Sequence, residues 1–231
     1  MLIDGIHVYE SIPDCMHRHV THISEDVQRK LHEMEDFARN HHVPIIRGGA
    51  ERAYMDILLT ARPRHVLEIG AAIGYSGILA MLCGAESLTS IEINPDKADM
   101  ARSNWDSTPY AEHMRIICGD ACDILPNLCG KFDFVFMDAA KGQYPFVFDM
   151  IRPLIEHDTV VCADNVLFRG YVIDGRHCPH RMRTIQHRLQ KFLGMVSEPE
   201  WHTAVFRSGD GISVSARKGT QVADCIENIG D

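Results

Sequence analysis

The sequence predicts an α/β fold: a seven-stranded, mostly parallel sheet with crossover helices, a C-terminal antiparallel hairpin and an N-terminal helical cap. Three observations predict it. Short apolar or β-branched runs alternate with amphipathic stretches from His65 onward, the pattern of parallel strands joined by helices. A glycine-rich turn, Gly70–Ala71–Ala72–Ile73–Gly74, follows the first of these runs. Two later runs end in acidic residues, Asp138 after Phe132–Met137 and Asp164–Asn165 after Thr159–Ala163. Open α/β sheets bind ligands beyond the carboxyl ends of their strands, so these ends mark the candidate site.

The elements follow in order. Ser24 is a candidate N-cap with Glu25 and Asp26 in the first turn, and Val27, Leu31, Met34, Phe37 and Ala38 recur at helical spacing. Pro44 interrupts. A second helix carries Ala50, Ala53, Tyr54, Ile57 and Leu58 on one face and stops at Pro63. Strands are expected at His65–Ile69, Ser87–Ile93, Met114–Cys118, Phe132–Met137 and Thr159–Ala163. Helices are expected at Ser76–Leu82, Pro95–Ser103, Tyr144–Ile151 and His180–Leu193, with a short turn near Ile124–Leu128. Thr203–Arg207 and Ile212–Ala216 flank Ser208–Gly209–Asp210–Gly211, a hairpin signal. One domain is expected over residues 1–231, with 1–62 as the cap, 63–218 as the core and 219–231 as a polar, frayed tail.

Composition narrows the function classes. No apolar run approaches the ~20 residues that span a bilayer. The first ten residues lack a basic segment followed by an apolar one, so a cytoplasmic protein with no signal peptide is expected. The eight cysteines contain no C-x-x-C pair and read as reduced, mostly buried thiols. The histidines at 17, 19 and 22 read as exposed helix residues. A net charge of −9 argues against a general nucleic-acid binder. Yet Arg169, Arg176, Arg181, Arg183, Arg188 and Lys191 face only one acidic residue, Asp174, in their stretch. A solvated helix face or an anionic substrate each explains that bias.

Three nucleotide readings compete at the glycine turn. A P-loop needs a lysine that is absent. The dinucleotide fingerprint needs glycine where Ala72 stands. The pattern Glu68-x-Gly70-x-x-x-Gly74 suits S-adenosylmethionine, which carries no phosphate and needs close backbone approach. Glu68 would be poorly placed beside a pyrophosphate and suits the cationic end of the methyl donor. Glu92 ends the next strand and can accept from both ribose hydroxyls. Gly119–Asp120–Ala121 ends the third strand, where adenine would lie. Asp138, Asp164 and Asn165 offer only oxygen ligands, which selects a hard cation: Mg²⁺ first, Mn²⁺ or Ca²⁺ next. Lys141 is within reach as a general base once a neighbouring cation favours loss of its proton.

The segments His41–Ile46, Leu67–Ser76, Ile91–Glu92, Gly119–Ala121, Asp138–Ala139–Ala140–Lys141–Gly142–Gln143–Tyr144, Asp164–Gly170 and Gly209–Gly211 together resemble the cation-dependent, catechol-type class I O-methyltransferases. The resemblance covers residues 20–218 and implies a Rossmann-like class I methyltransferase fold. It implies magnesium at Asp138, Asp164 and Asn165, with Lys141 and Asp138 catalytic. It implies S-adenosylmethionine contacts at Ile46, Glu68, Gly70, Ser76, Glu92, Asp120, Ala121 and Asp138. The chain looks most like the bacterial branch that methylates 5-hydroxyuridine in tRNA to 5-methoxyuridine, with a free catechol or hydroxycinnamoyl-type compound as the alternative acceptor. Arg169, Arg181 and Arg183 would then meet flanking phosphates, and a homodimer is expected. Ala139–Ala140 depart from the His-Trp of the mammalian catechol enzymes and the Ala-Asp of the plant caffeoyl-CoA enzymes.

Overall fold

The computed structural model describes residues 2–3, 6–173 and 177–229. Arg176 and Asp174 of the basic stretch lie outside the described residues. The strands are β1 (Leu2–Ile3), β2 (Ile6–Tyr9), β3 (His65–Ile69), β4 (Ser87–Glu92), β5 (Met114–Cys118), β6 (Phe132–Met137), β7 (Ile155–Ala163), β8 (Trp201–Phe206) and β9 (Ile212–Arg217). The helices are α1 (Glu25–Asn40), α2 (Gly48–Ala61), α3 (Tyr75–Leu82), α4 (Pro95–Asp106), α5 (Ala121–Ile124), α6 (Tyr144–Ile151), α7 (Arg183–Met195) and α8 (Gln221–Glu227). Among the described residues no helix is long and apolar enough to cross a membrane.

All strands share one sheet in the order β1-β2-β8-β9-β7-β6-β3-β4-β5. β3, β4, β5, β6 and β7 run parallel, while β9 is antiparallel to both β7 and β8. The chain moves outward from β3 to β5 and then returns to β6 on the other side of β3. That reversal is a topological switch point, and it opens a crevice beyond the ends of β3 and β6.

β6 shows why the central strands read as continuous apolar runs. Phe134 and Phe136 pack with Tyr54, Ile57 and Leu58 of α2 on one face. Val135 and Met137 pack with Phe148, Leu189 and Phe192 of α6 and α7 on the other. A strand covered on both faces loses the alternation of a half-exposed one. The N-caps of α1 and α4 form as expected: Ser24 Oγ accepts from Val27 N at 3.4 Å and Asn94 Oδ1 from Lys97 N at 3.1 Å.

Four expectations are corrected. The sheet has nine strands rather than seven, because residues read as part of a helical cap extend it: β2 pairs in parallel with β8, burying Ile6 and Val8. The tail is not frayed, since Thr220 caps α8, and Val222, Ala223, Cys225 and Ile226 are buried. The cysteines are not mostly buried: Cys15, Cys118 and Cys129 are exposed, and Cys122 is half-buried. The histidines at 17, 19 and 22 occupy irregular backbone before α1, not a helix.

Candidate active site

The backbone ladder sets the positions of the strand-end groups. Gly70 N donates to Ile91 O at 2.8 Å, and Gly119 N to Glu92 O at 2.9 Å. Asp138 N donates to Ile69 O at 2.9 Å, and Asp164 N to Met137 O at 3.0 Å. Each strand-end residue is therefore one ladder step from its neighbour, and Asp138 and Asp164 end adjacent strands. Beyond these ends lies a cleft of about 350 Å³. It is lined by Gly70 and Ala72 after β3, Glu92 and Ile93 at the end of β4, and Asp120 and Ala121 after β5. Asp138, Lys141 and Asn165 line its other side.

Gly70 has φ +100, and a Cβ built there would run into the backbone carbonyl of Asp138. Only glycine supplies both that dihedral and that closeness. Glu92 is braced by the backbone: Oε2 accepts from Ala72 N at 2.8 Å and Oε1 from Asn94 N at 2.9 Å. Its remaining lone pairs stay available to the cleft. Asp120 caps α5 by accepting from Cys122 N at 2.8 Å. Ile93 is 65% exposed at the rim, one residue past Glu92, and gives this end an apolar face.

Glu68, Ser76 and Ile46 are not lining residues. Glu68 is fully buried behind the glycine turn, where Ser76 and Ser90 each donate to its carboxylate at 2.5 Å. Burial raises its carboxyl from 4.5 to about 7, the two serines lower it, and the Glu92 charge raises it again. A folded pKa above the unfolded one means that native Glu68 keeps a proton the unfolded chain has lost. Its contribution to stability is then full below the unfolded value and falls as pH rises through the folded one. Glu68→Gln should remove that slope, leaving the ligand-free variant about 5 °C more stable than wild type near pH 8 and no more stable near pH 4. Thermal melts across that range check it; parallel profiles would show that Glu68 ionises without cost.

The two aspartates are held differently. Asp138 is half-buried, and burial raises its carboxyl to about 6, partly offset by Lys141 and raised again by Glu68. Asp164 is 4% exposed. Burial, and after it the Asp138 charge, raises its carboxyl to about 7, against hydrogen bonding from Asn165 and the Lys141 charge. Asn165 follows at φ +56, a left-handed conformation that asparagine tolerates, and its N–H donates to Asp164 Oδ1 at 2.7 Å.

Tyr144 ties the two strand ends together, a role that the sequence motif gives no sign of. Its buried hydroxyl lies 3.0 Å from Met137 O and 2.9 Å from Asp164 O, and its single proton is shared between them. Tyr144→Phe removes the hydroxyl donor from the buried Asp164 carbonyl, while Met137 O keeps its bond from Asp164 N, and the loss costs about 1–2 kcal/mol. The melting temperature should fall by about 3–6 °C and turnover by about tenfold, as β6 and β7 lose their cross-tie. Wild-type turnover in the variant would show that the ladder alone aligns these ends.

The hairpin turn has a second function. Val166 N donates to Gly211 O at 2.9 Å, Leu167 N to Asp210 O at 3.0 Å and Arg169 N to Asp210 Oδ1 at 2.5 Å. The turn thus clamps the loop that begins at Asn165. Of the basic stretch, Arg169 is exposed on this loop, and Arg188 Nη1 donates to Gly142 O at 2.9 Å. The Arg188 guanidinium lies 5.2 Å from the centre of the Phe146 ring, beside the Lys141–Gln143 turn. Arg181 and Arg183 are exposed at the start of α7, with Arg183 Nε donating to Cys178 O at 3.4 Å.

A sequence profile of the O-methyltransferase family matches residues 21–218. The chain belongs to the O-methyltransferase family. A catechol O-methyltransferase of Niastella koreensis is 34% identical over 117 residues, which is 48% of this chain and 53% of that protein. The chain spans about half the length of the first curated relatives it matches. A Staphylococcus aureus crystal structure, provisionally assigned as a caffeoyl-CoA O-methyltransferase, superposes with TM-score 0.73 at 28% identity. It covers 81% of this chain and 91% of that one. A Bacillus cereus O-methyltransferase in complex with SAH shares the fold at TM-score 0.73 and 24% identity, covering 86% of this chain and 94% of that one. The fold is the Rossmann-like α/β fold of O-methyltransferases.

Proposed function

We propose that the protein is an S-adenosylmethionine- and Mg²⁺-dependent O-methyltransferase that converts 5-hydroxyuridine in tRNA to 5-methoxyuridine. The observation that carries the reading is the pair Asp138 and Asp164 at adjacent strand ends beside Lys141, with Asp138, Lys141 and Asn165 lining a cleft that could hold a nucleoside. Two carboxylates facing one lysine form an oxygen donor set short of positive charge, which fits a hard divalent cation. The close backbone at Gly70 and the braced Glu92 fit a phosphate-free nucleoside ligand.

Gly70, Glu92, Asp120, Ala121 and Asp138 would hold S-adenosylmethionine, in keeping with the SAH-bound Bacillus cereus relative. That cofactor supplies an electrophilic methyl group when bound. Asp138, Asp164 and Asn165 would hold the cation, Mn²⁺ or Ca²⁺ being weaker candidates. It supplies charge that favours the ionised form of an adjacent hydroxyl. Lys141 Nζ, held at the mouth by its short turn, would take the acceptor's proton in its neutral form, which a bound cation favours. The clamped Asn165–Gly170 loop would orient the acceptor, and the bare Gly70 backbone, packed against the Asp138 carbonyl, would let the cofactor approach closely.

A 5-hydroxyuracil carries its hydroxyl beside a carbonyl and can chelate a cation as a catechol does. The base must be unstacked, because paired A-form RNA hides that edge. Arg169 and Arg188 at the mouth suit the flanking phosphates, with Arg181 and Arg183 extending the surface. The names of the catechol and caffeoyl-CoA relatives favour a second reading, a small catechol or hydroxycinnamoyl-type acceptor.

Methyl transfer from labelled S-adenosylmethionine to hydroxyuridine-containing tRNA and to a catechol panel, each with Mg²⁺ or EDTA, separates the two. Transfer to catechols alone would remove the tRNA reading. Exchanging Arg181, Arg183 and Arg188 together for alanine should weaken tRNA binding and flatten its logarithmic salt slope by about 2. Unchanged binding and slope in that variant would remove the arginines from the interface.

A further inference from the structure

Cys15 and Cys225 lie 210 residues apart in sequence and meet at one place in the fold. Cys15 sits in the helical turn Asp14–Met16, ahead of α1. Bonds to α2 hold that segment: Thr60 Oγ1 donates to Met16 O at 3.3 Å, Arg18 N to Asp56 Oδ1 at 3.1 Å, and Arg52 Nη2 to Arg18 O at 2.7 Å. Met16 is fully buried, so the turn has little freedom to swing away. On its other side the Cys15 thiol points at α8, with Sγ 3.9 Å from the Cys225 carbonyl oxygen. Cys15 is exposed, and Cys225 is 9% exposed.

We propose that Cys15 and Cys225 form a reversible disulfide, by exchange with a low-molecular-weight disulfide, that staples the N-terminal segment to α8. Exchange requires one accessible thiol to start and a neighbouring thiol to finish. Exposure makes Cys15 the first nucleophile. Its sulfur attacks the small disulfide, one S–S bond breaks, and one small thiol leaves with the proton. Cys225 then gives up its proton and attacks the Cys15 sulfur, and the second small thiol leaves. Two protein thiols are oxidised to one disulfide while one small disulfide is reduced to two thiols. Cys225 is a poor initiator, since burial first and a side-chain hydrogen bond from its own thiol to Cys15 next push it up to about 12. Held against Cys15, it is well placed to resolve the mixed disulfide.

The link would close a loop over nearly the whole chain, and cross-links across long loops restrain the unfolded state most. The ends it joins also flank one edge of the sheet, since β2 pairs with β8 and α8 caps the chain after β9.

The purified full-length protein, fully reduced and then incubated with oxidised glutathione, tests the proposal. Intact mass, non-reducing peptide maps and thermal melts are the readouts. The expected result is a loss of two hydrogens, a crosslinked peptide joining Cys15 to Cys225, and a melting temperature raised by about 5–10 °C that returns with reductant. Cys15→Ser should abolish the crosslinked peptide and the shift. Cys225→Ala should instead trap glutathione on Cys15. Wild-type protein that stays glutathionylated at Cys15, that links Cys15 to another chain, or that stays reduced would overturn the proposal.

Discussion

Asp164→Asn should cut methyl transfer severely and, at the same time, make the ligand-free protein harder to unfold. The two effects have one source. The Asp164 carboxyl is raised from 3.8 to about 7 by burial and then by the charge of Asp138. In the folded chain its ionised form is therefore disfavoured relative to the unfolded chain. A group with a raised carboxyl pKa loses its contribution to stability as pH rises through the folded value. Near pH 8 the wild-type protein carries that penalty in full, and asparagine, of nearly the same shape, carries none. The melting temperature of ligand-free Asp164→Asn should exceed that of wild type by about 3–6 °C near pH 8. The proposed cation gains most from the same charge, so turnover should fall by about 100- to 1,000-fold. Thermal melts with Mg²⁺ or EDTA, beside the methyl-transfer assay, separate the terms: Mg²⁺ should stabilise the wild type and not the variant. Equal Mg²⁺ stabilisation in both proteins would remove Asp164 from the cation site.

The sequence made the carboxyl ends of the strands legible because they carry local signals. Phe132–Met137 and Met114–Cys118 start and stop where their apolar runs do, and Asp138 follows β6 as the reading required. What it hid depends on contacts far along the chain. β2 is four residues long, includes polar His7, and joins the main sheet through β8, about 200 residues later. β7 begins four residues before the expected Thr159, because Glu156, His157 and Asp158 interrupt its apolar pattern and its register against β6 shifts there. α8 offered Thr220 followed by Val222, Cys225 and Ile226 at helical spacing, a weak cap-and-face signal in a polar tail.

The site divides in the same way. The identities of Asp138, Lys141, Asp164 and Asn165 were visible as residue types at strand ends. Their supports were not: the Tyr144 hydroxyl between two carbonyls, and Asp210 gripping the loop at Arg169, are tertiary pairs with no periodic pattern in the sequence. Glu68 was legible as an acid beside the glycine turn. Its orientation, away from the cleft and onto Ser76 and Ser90, follows from packing that the turn motif does not encode.

Gly70→Ala is expected to cost more stability than any surface change in the molecule, about 3–5 kcal/mol, and to cost it at the switch point itself. Gly70 sits at φ +100, and its missing Cβ would overlap the backbone carbonyl of Asp138. A flexible side chain could rotate away, but a backbone carbonyl whose residue is tied to β3 through Asp138 N and Ile69 O cannot. Relief requires β3 and β6 to part at the ends where the cleft opens, which would move Asp138 and leave the bond from Gly70 N to Ile91 O strained. Gly84→Ala supplies the control, because Gly84 has φ +101 and nothing within 4 Å of its built Cβ. That variant bears the same dihedral strain without the collision, so about 1–2 kcal/mol is expected there. Urea unfolding of both variants gives the difference, which is the cost of forcing the two strand ends apart. If Gly70→Ala loses no more stability than Gly84→Ala, the closeness of the β3 and β6 backbones does not set the shape of the crevice. The proposed cofactor would then have to be held chiefly by Glu92 and Asp120.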